Sequence, residues 1–569
     1  MKMRILVLII LFAIPYRIIA QNDDLGNQTI TVYTEFSPIL KDANRMLFLP
    51  AIVDTIKITP RFEYDVKNLN FKTKFLPSQI PAASIKGEPL KPLDNGLINL
   101  ALGNYLSPKV EIYYNNTREK EYSVGAMGSH HSSFGTIKNV AKQKIYAGFN
   151  DNYIAAYGKK MFRSYNLLGD INFSSQQRYF YGYDPYLIIP ADQFKPRDRS
   201  EMEMQRYNRF SVNFGLHNAE ASNNKLDSKS DLKYQYFFAH SGDKQHKIDF
   251  KSDINKLIKN NRYGIDLGVL FNNNIPDTTS TFNQTFLNIN PYFKHYTQNW
   301  QIKLGLATTG EFAKDTVIYH FYPDVMIQHN ISNVLIPYAS FKGYIENYDF
   351  EYSSTINPFV NRINNFGITN HAQVIDLGMK GNISQKAYFH LNANYSKIDN
   401  MAFFVNDTSL ILDNKFSLEY TNVERFSGYG GIALRNIGKF DAILKGHYYY
   451  YSYIKSRELP WHMPTVDVRL IIKYNFDDNL NFGISGDFVG KRYAKLYVKP
   501  TGSTEPDGLA YYEKELKPII DFNLFGEYKF ASNFYAYLNL NNITGQKQYV
   551  WNNYMSQGFN FMAGIKYLF

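Results

Sequence analysis

The sequence predicts an all-β protein: a transmembrane antiparallel β-barrel of about 22 strands, in a range of about 20–24, with a short N-terminal segment in its lumen or on its periplasmic side. Three observations carry this. Long tracts alternate apolar and polar side chains with the period of two that a strand imposes. The connections between them alternate between very short and long. The last tract sets Phe559, Phe561, Ala563, Ile565, Tyr567 and Phe569 on one face, against Asn560, Met562, Gly564, Lys566 and Leu568 on the other. An edge this apolar invites aggregation in a soluble sheet, whereas in a closed barrel it pairs with the first strand and meets lipid.

Composition agrees. Of 569 residues, 16% are aromatic, with 47 Tyr and 43 Phe but 3 Trp. Tyrosine suits strands and the membrane–water interface. The mean hydropathy of −0.36 is that of a chain whose strands keep one face wet. The formal charge is +11, but the basic residues are scattered among apolar ones and form no nucleic-acid stripe. Cysteine is absent, which excludes disulfides, thiolate metal sites, thiol catalysis and a lipid anchor on cysteine.

Residues 1–20 read as a signal peptide: Lys2 and Arg4 precede the apolar run Ile5–Pro15, with cleavage expected after Ala20. Residues 21–95 differ from the rest of the chain. A short β-prone piece, Gln28–Tyr33, leads into a run punctuated by Pro50, Pro60, Pro77, Pro81, Pro89 and Pro92. Proline at that density breaks ladders, so this segment is expected to fill the lumen or lie in the periplasm.

From residue 96 to 569 the alternation is continuous. Val466, Val468, Leu470, Ile472 and Tyr474 alternate with Asp467, Arg469, Lys473 and Asn475. Ile520, Phe522, Leu524 and Tyr528 alternate with Asp521, Asn523 and Glu527. Turns near 299–300, 384–385, 477–479 and 531–533 are short. Connections 133–150, 183–203, 400–413, 455–464 and 495–515 are long and polar, as outer loops are. The tracts 97–117 and 414–434 show the pattern least clearly.

The end of the chain carries a resemblance. Leu538-Asn539-Leu540-Asn541-Asn542-Ile543, then Gln548-Tyr549, Trp551-Asn552-Asn553-Tyr554, Gly558-Phe559-Asn560-Phe561 and Tyr567-Leu568-Phe569 resemble the last hairpin of TonB-dependent receptors. That resemblance implies an outer-membrane receptor barrel of a diderm bacterium. It would take up or bind a nutrient and be inserted among outer-membrane lipids by the barrel-assembly machinery. It makes Thr29, Ile30, Thr31 and Val32 a candidate TonB box, which couples by strand addition, and it admits TonB or a surface lipoprotein as partner. The segment before the first strand is too short for the family's plug and lacks its motifs. The plug is therefore expected to be reduced or absent, which leaves a second reading: a structural or assembly-associated barrel that docks surface or envelope proteins.

Few residues suggest chemistry. His130 and His131 are adjacent, so on a strand they point to opposite faces and cannot share a metal; a solvated strand end is expected for them. After His447, Tyr448 and Tyr450 face out toward a belt. Tyr449, Tyr451 and Tyr453, with Trp461 and Trp551 in outer loops, are candidate vestibule aromatics. No nucleophile elbow, phosphate loop, zinc motif or paired carboxylates stand out, so neither an enzyme nor a bound cofactor or metal is expected.

Overall fold

The computed structural model describes residues 93–569, apart from 118, 188, 190–193, 220–224, 278–280, 314–315, 333, 363–365, 454–457 and 498–510. The expected signal peptide, the candidate TonB box Thr29–Val32 and all but the end of the 21–95 segment lie outside the described residues.

Twenty-two strands form one antiparallel sheet. The first seven are β1 (Gly96–Gly103), β2 (Ser107–Asn115), β3 (Tyr122–Ser133), β4 (Phe149–Met161), β5 (Tyr165–Tyr179), β6 (Met204–Asn218) and β7 (Leu226–Ala239). Then come β8 (Lys244–Ile258), β9 (Asn261–Ile275), β10 (Phe282–Tyr296), β11 (Trp300–Ala313), β12 (Thr316–His329), β13 (Ile336–Tyr348) and β14 (Gly367–Ser384). The last eight are β15 (Ala387–Asn406), β16 (Phe416–Ile437), β17 (Phe440–Tyr453), β18 (Val466–Asn475), β19 (Leu480–Val489), β20 (Ile519–Ala531), β21 (Phe534–Asn541) and β22 (Asn560–Leu568). Each pairs with its sequence neighbours, and β22 also pairs with β1, from Leu97↔Leu568 to Gly103↔Met562. The sheet is therefore a closed barrel, and closure joins the first and last strands so that neither presents a free edge to lipid.

Every strand expected from the alternation is present, including those of the two weak tracts. Two details differ. β15 continues to Asn406, so the first half of the expected 400–413 loop is wall; Asn400, in the left-handed region at φ 53°, takes up a register shift between Ile398 and Met401. His130 and His131 lie inside β3, half-buried. Asn152 Oδ1 holds His130 at 2.7 Å and Ser107 Oγ holds His131 at 3.3 Å. They are structural members of the wall, not a solvated loop.

The outer face is apolar. Phe559, Phe561, Ile565 and Phe569 are exposed, Ile565 at 52%. At the short-turn end Tyr567 stacks between Phe534 (4.7 Å) and Phe569 (5.7 Å), the aromatic girdle of a membrane interface. The inner face is polar and laddered: Asn290 donates to Asp324 at 2.7 Å, Tyr292 to Asp253 at 2.7 Å and Asn394 to Asp376 at 2.8 Å. An apolar outside and a wet inside define the wall of an outer-membrane barrel.

One junction is incomplete. β12 pairs with β13 only from Asp324↔Lys342 to Gln328↔Tyr338, although β12 follows β11 along its whole length, from Trp300↔His329 to Ala313↔Thr316. Pairing stops at Pro323, which has no N–H, and at a register shift between Lys342 and Tyr344. Beyond it the upper part of β13 leans over the lumen, where Asn347 reaches Gln284 of β10 (3.4 Å).

Candidate functional site

Short turns gather at one end of the barrel: 162–164, 259–260, 297–299, 385–386, 438–439 and 532–533. The long connections 134–148, 180–203, 349–366, 407–415, 454–465, 490–518 and 542–559 gather at the other. Loop 542–559 is the outer loop expected to carry Trp551. Three small hairpins stiffen this end: Thr136–Lys138 with Lys144–Tyr146, Arg492–Tyr497 with Tyr511–Leu516, and Tyr549–Trp551 with Tyr554–Met555.

The loops bridge the mouth. Asn414, after β15, donates to the Phe180 carbonyl, after β5, at 2.7 Å. Those loops hang from strands ten positions apart on a ring of 22, close to diametrically opposite. Lys415 and Glu203 repeat the link at 2.7 Å. Tyr554 donates to Asn414 O at 2.5 Å and stacks on Phe359 at 3.5 Å, while Tyr181 donates to Met555 O at 3.1 Å. Phe180, Phe350, Phe359, Phe404, Phe416 and Tyr554 form a buried apolar core inside this cap. Burying aromatics at about 1.5–3 kcal/mol each offsets the entropy lost by loops that would otherwise move.

The 349–366 loop carries α1 (Phe350–Ile356), started by Asp349, whose carboxylate accepts Tyr352 N–H at 2.9 Å. Four charges clamp α1 to the lumen wall. Lys247 of β8 reaches Asp349 and Glu351, each at 2.8 Å, and Arg209 of β6 reaches Glu351 at 2.9 Å. Arg209 also holds Ser354 (3.1 Å) and Thr355 (2.9 Å). Burial opposes ionisation of Glu351, but Lys247 and Arg209 overcome it and hold its carboxyl down at about 2. Asp349, more deeply buried and sharing Lys247, is pushed up by desolvation.

The candidate vestibule aromatics divide. Trp461 is 1% exposed and packs with Ile398, Phe403, Val405 and Val423; Tyr451 and Tyr453 flank that cluster. Trp551 lies against Phe404, Phe416 and His462 at 5.2–5.4 Å. Trp461 is buried in the cap, while Tyr451, Tyr453 and Trp551 pack against it and stay partly exposed. Tyr449 is half-buried and stacks on His447 at 6.0 Å. The clamp and Asn414 were not singled out in the sequence, and Tyr554 entered only as part of the C-terminal motif. The one available signal was Asp349 followed by Glu351, a helix start with an acid in its first turn.

Toward the short-turn end from the clamp, inward residues of β7–β13 surround a cavity of about 680 Å³, lined by groups including Asp253, Asp266, Asn288, Asn290, Thr309 and Tyr322. Among the described residues no cluster of His, Asp and Glu is arranged to hold a metal ion.

No protein-family model matches the chain, and no curated protein matches it in sequence. Solved structures do match its fold. The FrpB iron transporter from Neisseria meningitidis aligns with a TM-score of 0.64 at 10% identity, over 84% of this chain and 83% of that one. The siderophore receptor PirA from Acinetobacter baumannii gives 0.62 at 10%, over 85% and 81%. The copper transporter OprC gives 0.60 at 10%, over 83% and 80%. These are barrels of the TonB-dependent-receptor type, the type that the C-terminal hairpin resembles. At such identities the likeness is one of fold.

Proposed function

We propose that this chain is an uptake receptor of the outer membrane: a barrel that admits a polar nutrient, with the interlocked loops as its outer gate. The observation that supports this most is the cap itself. It ties opposite sides of the mouth above a lumen wall of carboxylates, amides and lysines, and a purely structural wall needs neither a closed mouth nor a wet interior. The structural neighbours named for iron, siderophore and copper traffic support the general role and leave the substrate open. Energy coupling through Thr29–Val32 and docking of a surface lipoprotein belong to the same proposal, as does the absence of catalysis.

Planar-bilayer conductance of the full chain tests the gate. The native protein should pass little current. Replacing Asn414 and Tyr554 by alanine together should raise single-channel conductance and the influx of small polar solutes. If both forms are equally silent while envelope proteins co-purify with them, the docking reading replaces the transport reading.

A further inference from the structure

The incomplete junction between β12 and β13 falls in the apolar belt. Phe321 of β12 shares a register row with Thr308 and with Ile289 of β10, and both Phe321 (67%) and Ile289 (38%) are exposed. Were the register of Asp324↔Lys342 continued, Tyr322 would face Tyr344 and His320 would face Glu346; neither rung forms. Two backbone edges are thus left without ladder partners at a depth where lipid offers none, and open edges persist there only beside protein, water or a ligand that bonds them. At the foot of the break the Tyr322 ring rests against Gly343 and its hydroxyl donates to Asn370 at 2.7 Å; behind the unpaired stretch lies the polar cavity, whose lining includes Tyr322, Gly343, Tyr344 and Asn347. Its far wall carries Asp231, Asp253 and Asp266 together with Lys229 and Lys251; Asp253 sits across from Lys229 and Asp231 across from Lys251, which also pairs with Asp249 at 2.8 Å. On the outer side Val317, Tyr319 and Phe321 are all exposed.

We infer that the gap between β12 and β13 is a lateral binding site for a membrane amphiphile, whose zwitterionic head enters the cavity while its acyl chain lies along Val317, Tyr319 and Phe321. Charges of both signs behind an apolar lip match that division of head and tail, and a head rich in acceptors can bond the unpaired N–H groups. An extended peptide would complete the ladders but would leave the charged cavity empty. This route is separate from the loop-covered mouth, so it stands or falls independently of the proposed gate.

The test uses the full chain in phosphatidylcholine nanodiscs, with lysophosphatidylcholine carrying a photoreactive group near its head as probe. Label should appear on the peptides containing Asn290, Thr309 and Tyr322. Excess unlabelled lysophosphatidylcholine should displace it, whereas glycerophosphocholine, the same head without a tail, should not. Phe321→Ser should weaken labelling by roughly tenfold through loss of tail contact. Thr309→Trp, which fills the cavity from β11, the strand next to β12, should abolish it, with both variants retaining the heat-modifiable mobility of a folded barrel. Absence of label in the native chain overturns the inference. So does equal competition by glycerophosphocholine, which would make the cavity a site for soluble polar molecules, or labelling unchanged in Thr309→Trp.

Discussion

His462 has one way to satisfy both ring nitrogens. The Phe404 carbonyl at 2.9 Å can only accept, so Nδ1 carries the proton, and Nε2 then accepts the Asn552 N–H at 3.3 Å. A second proton would set two donors face to face, with the Arg492 guanidinium nearby. Burial, opposed by the Phe404 bond and aided by Arg492, lowers the ring from 6.5 to about 4. The unfolded imidazole therefore takes its proton first. The contribution of the neutral ring is complete above pH 6.5 and drains away as pH falls toward 4, by about 3 kcal/mol at most. Amide exchange across 549–555 should accelerate through that window, and His462→Leu should flatten the response. Glu351 acts lower: held down at about 2, it stabilises the α1 clamp fully above 4.5 and loses that effect as pH falls to 2. Lys247→Met leaves two buried carboxylates with Arg209 alone, and local protection of 349–356 should drop by about 3–5 kcal/mol. Beyond the helix start at Asp349 and Glu351, none of this was legible in the sequence. Arg209, Lys247 and Glu351 are separated by tens of residues along the chain, and nothing in an alternating strand says which inward charge will meet a loop.

At the scale of elements the sequence was most legible, because a strand between lipid and water writes its period of two directly into the residue order. β22 shows this: Ile565 is exposed while Met562 and Gly564 are not, as the alternation requires. Ile565→Lys, two residues from the girdle, should cost on the order of 1 kcal/mol of barrel stability and Met562→Lys less, measured by urea unfolding in liposomes. The three tryptophans report their elements separately. Trp300, 44% exposed on the outer face of β11, should be quenched by brominated lipid. Trp461, buried under the cap, should not be, and a variant retaining only Trp461 settles the point. The loops were less legible. An aromatic in a polar stretch can pack or stand free with the same sequence around it, and Trp461 and Trp551 were open to both readings. The break in the β12–β13 ladder was also invisible, since one proline and a shifted register leave the alternation on both sides intact.

For the whole molecule, closure is the property that the residue pattern implied and pairing of β1 with β22 completes. The cap adds a second closure across the mouth. Because cysteine is absent, a pair introduced at Glu203 and Lys415, whose charged groups meet at 2.7 Å, has no competitor. A short bis-maleimide should join the two cysteines as thioethers in intact membranes and hold conductance low even when Asn414 and Tyr554 are replaced. Failure to cross-link would mean that the loops stand apart in the membrane. The link from Phe180 to Asn414 also has a mechanical meaning. A ring of 22 strands is thin relative to its width and flattens easily, but a tie across its diameter fixes the distance between opposite walls. The loops then work as a brace, and any event that detaches them frees the cross-section to become oval, changing the spacing of the lumen charges well below the point where the brace was cut.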